Sequence, residues 1–94
     1  MVNPGLVARL KYNLSLTTTA YDEYLGQLLH AASGMIAREG INLNTNCEED
    51  AQILVMYAAY LFRKRAEDNP VMPRMLRYAL NNRLFSQKMQ EDGV

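Results

Sequence analysis

Of the side chains able to do chemistry at neutral pH, the sequence contains a single histidine, His30, and a single cysteine, Cys47. Nucleophilic catalysis needs a thiol or hydroxyl within reach of a base, and general acid–base chemistry needs a titrating group held against its substrate. His30 falls near the apolar stripe of a helical pattern with no second histidine beside it, and Cys47 lies in a loop with no base assigned to it. Both read better as packing or surface residues than as catalysts. The run Glu48, Glu49, Asp50 offers adjacent carboxylates that suit a divalent cation, but acids at a helix start also complement the positive end of the helix, which is the preferred reading. One Cys and one His do not furnish a structural zinc site, a lone Cys closes no internal disulfide, and there is no glycine-rich phosphate loop. The sequence points to no catalytic set, no metal and no cofactor.

The remaining chemistry is basic and aromatic. Ten Lys+Arg balance ten Asp+Glu, so the chain lacks the net positive charge that draws most nucleic-acid binders to phosphate. The neutrality hides a segregation. From Thr19 to Asp50 the acids Asp22, Glu23, Glu39, Glu48, Glu49 and Asp50 face the lone base Arg38, a net of −5. From Arg63 to Lys88 the bases Arg63, Lys64, Arg65, Arg74, Arg77, Arg83 and Lys88 outweigh Glu67 and Asp68, a net of +5. A subunit with an acidic and a basic flank can dock head to tail on its own copies, and a heterologous interface of that kind closes into a ring when the rotation allows. Glu48, Glu49 and Asp50 on one side, with Arg63 and Arg65 on the other, are the candidate interface residues. Tyr60, or Tyr24 in its place, joins them as an aromatic with a polar tip, while Tyr21, Tyr57 and Tyr78 are expected in the core with their hydroxyls at its rim. The alternative is a small helix-turn-helix-like DNA-binding regulator with its bases on the last helix. The long connection "RKRAEDNPVMP" and the neutral chain weigh against it.

The elements that must position these residues read as all-α. Strand signals are few, and Gly and Pro sit at the borders of helical patterns. The spacing predicts about four helices in one domain spanning residues 1–94. Leu6, Val7, Leu10 and Leu14 mark a short first helix ending near Asn13 to Ser15. Thr18 or Thr19 is expected to cap a second, with Asp22 and Glu23 in its first turn, a stripe of Tyr21, Leu25, Leu28, Leu29, Ala32, Met35 and Ile36, and Gly40 as its stop. Gly26 and Gly34 within it hint at close approach by a neighbouring helix. Asn46 and Glu49 have the spacing of a capping box for the third helix, whose "AQILVMYAAYLF" is apolar nearly all round and must be covered on every side. Asp68, Asn69 and Pro70 read as a turn, and Pro73 suits the first turn of a fourth helix from about Met72 to Met89 with a core stripe of Leu76, Ala79, Leu80 and Leu84. Gln90 to Val94 are expected to form a polar tail. The longest apolar run, Ile53 to Phe62, is shorter than the roughly 20 residues that cross a bilayer, and no basic, apolar leader opens the chain. The protein is expected to be neither secreted nor membrane-spanning, with a reducing cytoplasm as its compartment.

Three stretches, "LTTTAYDEYLGQLLHAASGMIAREGI", "EEDAQILVMYAAYLFRKR" and "MPRMLRYALNNRLFSQK", together resemble the head-tail connector (adaptor, or head completion) proteins of tailed bacteriophages and prophages, over about Leu6 to Lys88. The resemblance rests on pattern, with no catalytic signature. It implies a non-enzymatic virion component, assembled in the host bacterial cytoplasm and located at the head–tail junction. There it would form a head-to-tail ring, dodecameric in the virion, beneath the typically dodecameric portal, extend the DNA channel and receive a downstream stopper or tail-completion protein. It also implies that the C-terminal segment, with residues 86–94 as a tail or docking arm, contacts the portal, which places Phe85, Lys88, Met89 and Val94 at that contact. Arg74, Arg77 and Arg83 become candidates to face DNA in the lumen.

Overall fold

A computed structural model describes residues 4–65 and 71–92. The turn expected at Asp68 to Pro70 and the candidate docking residue Val94 lie outside them. The described residues form four helices and no strand: α1 (Pro4–Leu14), α2 (Asp22–Arg38), α3 (Glu48–Lys64) and α4 (Arg74–Asp92). Helices α1, α2 and α3 pack on one another, whereas α4 packs against α3 alone among the helices.

The central place of α3 follows from its composition. Ala51, Ile53, Leu54, Val55, Tyr57, Ala58 and Ala59 are all buried, which leaves it no wide polar face and requires neighbours on several sides. Leu6 and Leu10 of α1, and Leu25, Leu29, Ala32 and Ile36 of α2, fill two of those sides. Helix α4 contributes Leu76 and Leu80, with Ala79 and Leu84 half-buried beside them. The expected stripe is therefore present, with its centre fully covered and its margins partly open.

Backbone chemistry sets the helix ends. Both α1 and α2 finish in a residue of positive φ, Ser15 at 60° and Gly40 at 87°. At the first end the Ser15 N–H donates to the Tyr12 carbonyl and the Leu16 N–H to the Lys11 carbonyl; at the second, Gly40 donates to Ala37 and Ile41 to Ile36. This paired arrangement satisfies carbonyls that would otherwise end the helix without partners. At Gly40 it also brings Ile41 into the core beside Ile36.

The helix starts differ from expectation. Helix α2 begins after Tyr21 without a side-chain cap; the Thr18 hydroxyl accepts from the Ala20 N–H, and the Thr19 carbonyl from the Asp22 N–H. Helix α3 begins after Cys47, also without a side-chain cap, and no capping box forms, because the Asn46 N–H turns back to the Asn44 side chain. At α4 the Pro73 carbonyl accepts from Arg77, so proline stands just before the helix instead of inside it. Gly26 and Gly34 have open space where a Cβ would sit, so no helix approaches them closely. Helix α4 runs unbroken through Ser86 to Asp92, and the segment expected as a tail from residue 86 is helical as far as it is described. At 19 residues α4 is about 28 Å long.

Candidate functional site

Two of the arginines that the sequence placed on a free basic surface turn inward. Arg83 Nε donates to Asp50 Oδ1 at 2.8 Å, and its Nη2 reaches both Asp50 Oδ2 at 3.2 Å and the Asn42 carbonyl at 2.8 Å. The Asp50 side chain is only 5% exposed, and its Oδ2 also accepts from the Asn44 N–H at 2.9 Å. Burial by itself raises the carboxyl pKa, but the hydrogen bonds from Arg83 and the Asn44 backbone, together with the Arg83 charge, outweigh it and hold the group below its ordinary 3.8. Arg77 makes a forked contact to Glu39 at the end of α2, at 2.9 and 3.2 Å, and this hydrogen bonding raises the guanidinium pKa further. Gln87 completes the series: its side-chain amide donates to the Gly40 carbonyl and accepts from the Asn42 N–H, both at 2.8 Å. Arg77, Arg83 and Gln87 thus tie α4 to the α2 C-terminus and the loop that follows it.

With those side chains facing inward, the opposite face of α4 is defined by what remains. Met75, Tyr78, Phe85 and Met89 are 76, 57, 65 and 58% exposed. With Asn82 they recur at steps of three, four, three and four residues, which puts all five within about 80° of one another around the helix. Their mean direction lies roughly 150° from that of Leu76, Leu80, Arg83 and Gln87. One flank of this ridge carries Arg74, Asn81 and Lys88, the other Ala79 and Ser86. No acid occurs between Arg74 and Gln90, and neither Arg74 nor Lys88 has an ion pair among the described residues. Tyr78, expected in the core, belongs to the ridge.

A groove of about 530 Å³ lies between α3 and α4 beside the ridge. Ile53, Met56 and Ala79 supply its apolar surface, and Glu48 and Glu49 stand at its α3 end. Glu48 is paired to Arg9 at 2.7 Å, while Glu49 is exposed and has no ion pair among the described residues. The acidic cluster is therefore divided: Glu48 and Glu49 face outward, and Asp50 is interior and committed to Arg83. Of the three acidic interface candidates, Glu48 and Glu49 are the ones exposed to a neighbour. Arg77 and Arg83, candidates to face DNA, are likewise engaged within the chain, whereas Arg74 has no ion pair among the described residues.

The basic end of α3 is also used locally. Arg65 lies 4.2 Å from the Phe62 ring centroid and 5.3 Å from those of Tyr21 and Tyr24, a cation held by three aromatic faces. Arg63 donates to Asn13 at 3.4 Å, and Tyr60 is half-buried with its ring edge-on to Tyr57 at 6.0 Å. Tyr60, Arg63 and Arg65 sit about 18 Å or more along α3 from Glu48, so the two candidate flanks are at opposite ends of one helix.

His30 and Cys47 are both exposed and lie on separate elements. No group of three His, Cys, Asp or Glu side chains able to hold a metal occurs among the described residues, and no described helix is long and apolar enough to cross a membrane. Comparison with protein-family models, with curated proteins and with solved structures finds no match to this chain. The candidate portal-docking residues Phe85, Lys88 and Met89 all lie on the outward side of α4, Phe85 and Met89 in a ridge that begins almost three turns before Phe85 at Met75, and Lys88 on its flank. The three-four spacing that reveals the ridge is legible in the sequence; what hid it is the stronger leucine stripe interleaved with it on the same helix.

Proposed function

We propose that this protein is a structural subunit of a tailed-phage head–tail junction, a connector that assembles as a ring under the portal and extends the DNA channel toward a stopper or tail-completion protein. The observation that carries the reading is the ridge of Met75, Tyr78, Phe85 and Met89. Single exposed apolar side chains are ordinary, but four large ones aligned on a helix with a cationic flank suit a macromolecular partner. The sequence resemblance supplies the kind of assembly, and the small three-helix core with a loosely added fourth helix suits a part that gains stability from its neighbours. On this reading the end of α4, with Lys88 and Met89, meets the portal, which leaves Met75, Tyr78 and Phe85 for a neighbouring subunit, and Arg74 is the DNA-facing candidate without an ion pair among the described residues.

Negative-stain microscopy and light scattering, with and without the cognate portal, test the proposal. Rings, or a stoichiometric layer added to the portal, are expected. A protein that neither self-associates at millimolar concentration nor binds the portal refutes it. A duplex shifted in a gel by the monomer at low salt would instead favour the regulator reading, which the internal pairing of Arg77 and Arg83 weakens.

A further inference from the structure

We infer that the ridge of α4 in one subunit inserts into the groove between α3 and α4 of the next, so that each copy presents both halves of a heterologous joint. This deepens the ring reading and rests on it. A second copy suits the ridge better than a mirror pairing of two ridges, because of charge. Paired with itself in a parallel sense, the ridge sets Arg74 and Lys88 against neutral residues such as Ala79 and Ser86. Paired antiparallel about Asn82, it brings Arg74 of one chain within about a turn of Lys88 of the other. Only Asp92, the last residue of α4, comes near a cation in the antiparallel pairing, and Lys88 comes equally near the same Arg74.

The groove supplies an acid. Its apolar surface of Ile53, Met56 and Ala79 suits Met75, Tyr78 and Phe85, and Glu49, which has no ion pair of its own among the described residues, stands where a cationic flank would arrive. Ridge and groove share α4 and meet at Asn82, which borders both; from there the groove continues over Ala79 and Ser86, while Met75, Tyr78, Phe85 and Met89 line no part of it. One copy can therefore insert its ridge into a neighbour while its groove stays open to another, the condition for a ring or filament in place of a closed pair. The cationic flank against Glu49 sets register and makes the joint salt-sensitive, while apolar contact provides most of the affinity.

The test uses two full-length variants, each damaging one half of the joint: Phe85→Asp in the ridge and Met56→Asp in the groove. Circular dichroism checks that both fold; because Met56 is half-buried, Glu49→Lys serves as a second groove variant at an exposed position. Sedimentation velocity of the wild type should show assembly beyond a dimer, weakening with added salt. Each variant alone should associate at least about tenfold more weakly. Mixed together, they should form a one-to-one heterodimer that grows no further, because one intact ridge and one intact groove remain. If the wild type assembles while both groove variants assemble as it does, the ridge engages another surface and this inference is overturned with the ring reading intact. Absence of a heterodimer when each folded single variant is monomeric overturns it in the same way. A wild type that neither assembles nor binds portal overturns the ring reading itself.

Discussion

Arg83→Ala should do more damage than its partly exposed position suggests. Arg83 is 23% exposed, but the carboxylate it serves is 5% exposed and would keep one hydrogen bond, from the Asn44 N–H, after losing two from the guanidinium. Removing one partner of a buried ion pair costs about 3–5 kcal/mol, and the partial exposure of Arg83 places this case near the lower end, at about 3 kcal/mol. A chain of this length holds on the order of 5–14 kcal/mol in all, so the loss should lower Tm by roughly 12–24 °C. Urea unfolding followed by circular dichroism at pH 7 measures it. The pH dependence separates this cause from simple loss of packing. In the wild type, folding depresses the Asp50 pKa, so the folded state binds fewer protons than the unfolded one; the stabilisation is complete above the ordinary 3.8 and is lost as pH falls through the depressed value. In Arg83→Ala the desolvation of Asp50 loses its main opponent, the pKa rises, and the native state becomes the better proton acceptor. Its deficit should therefore shrink as pH falls from 7 to 4. A loss below 1 kcal/mol, or one that stays the same at both pH values, refutes the assignment of Asp50–Arg83 as the clasp of α4. Replacing both partners by apolar residues, Asp50→Leu with Arg83→Met, should recover most of the stability while Arg83→Ala does not.

Three further outcomes follow from the helix ends and exposed faces. Ser15→Gly should raise stability by about 1 kcal/mol because Ser15 holds a left-handed φ, and Gly40→Ala should lower it by at least as much; thermal melts of the two should shift in opposite directions. Gly26→Ala and Gly34→Ala should each stabilise α2 by about 0.5–1 kcal/mol, since an added Cβ meets nothing at either site, and destabilisation of the monomer would show a packing constraint that the fold does not contain. Deleting the chain from Ser86 onward should leave a folded protein weakened by about 1–2 kcal/mol through loss of the Gln87 contacts, and one that no longer binds portal because Met89 and Lys88 are gone; an unfolded product would make the end of α4 essential to the core.

How much of this could be read from the sequence depended on whether the governing signal was local. The helical character, the burial of α3 and the stop at Gly40 follow from periodicity and a glycine, and the structure has all three. The helix starts were less legible, because Thr18, Thr19 and Asn46 have the right type for capping but the chain uses them in turns just outside the helices. The glycines of α2 misled for a related reason: a small residue permits close approach without requiring it. The candidate site was the hardest part. A count of charges along the chain cannot tell an arginine that meets its carboxylate within the fold from one that awaits another molecule. Arg77 reaches back to Glu39 and Arg83 to Asp50 across the chain, so much of the apparent polarity between the two halves is intramolecular.

That pairing changes what the segregation of charge means. The acidic first half and basic second half are first of all complementary faces of one subunit, and they hold α4 where its leucines alone would leave it lightly attached to α3. By drawing Arg77 and Arg83 inward, the clasps also fix which way the helix is turned. Rotating α4 to expose them would carry Met75, Tyr78, Phe85 and Met89 toward the core in their place. The outward ridge and the inward ion pairs are thus two consequences of one choice of rotation, and a substitution that weakens Asp50–Arg83 should disturb assembly through α4 even where the ridge itself is untouched. Arg83→Ala should therefore associate more weakly than wild type under conditions where it remains folded, while Ser15→Gly, remote from α4, should leave association unchanged.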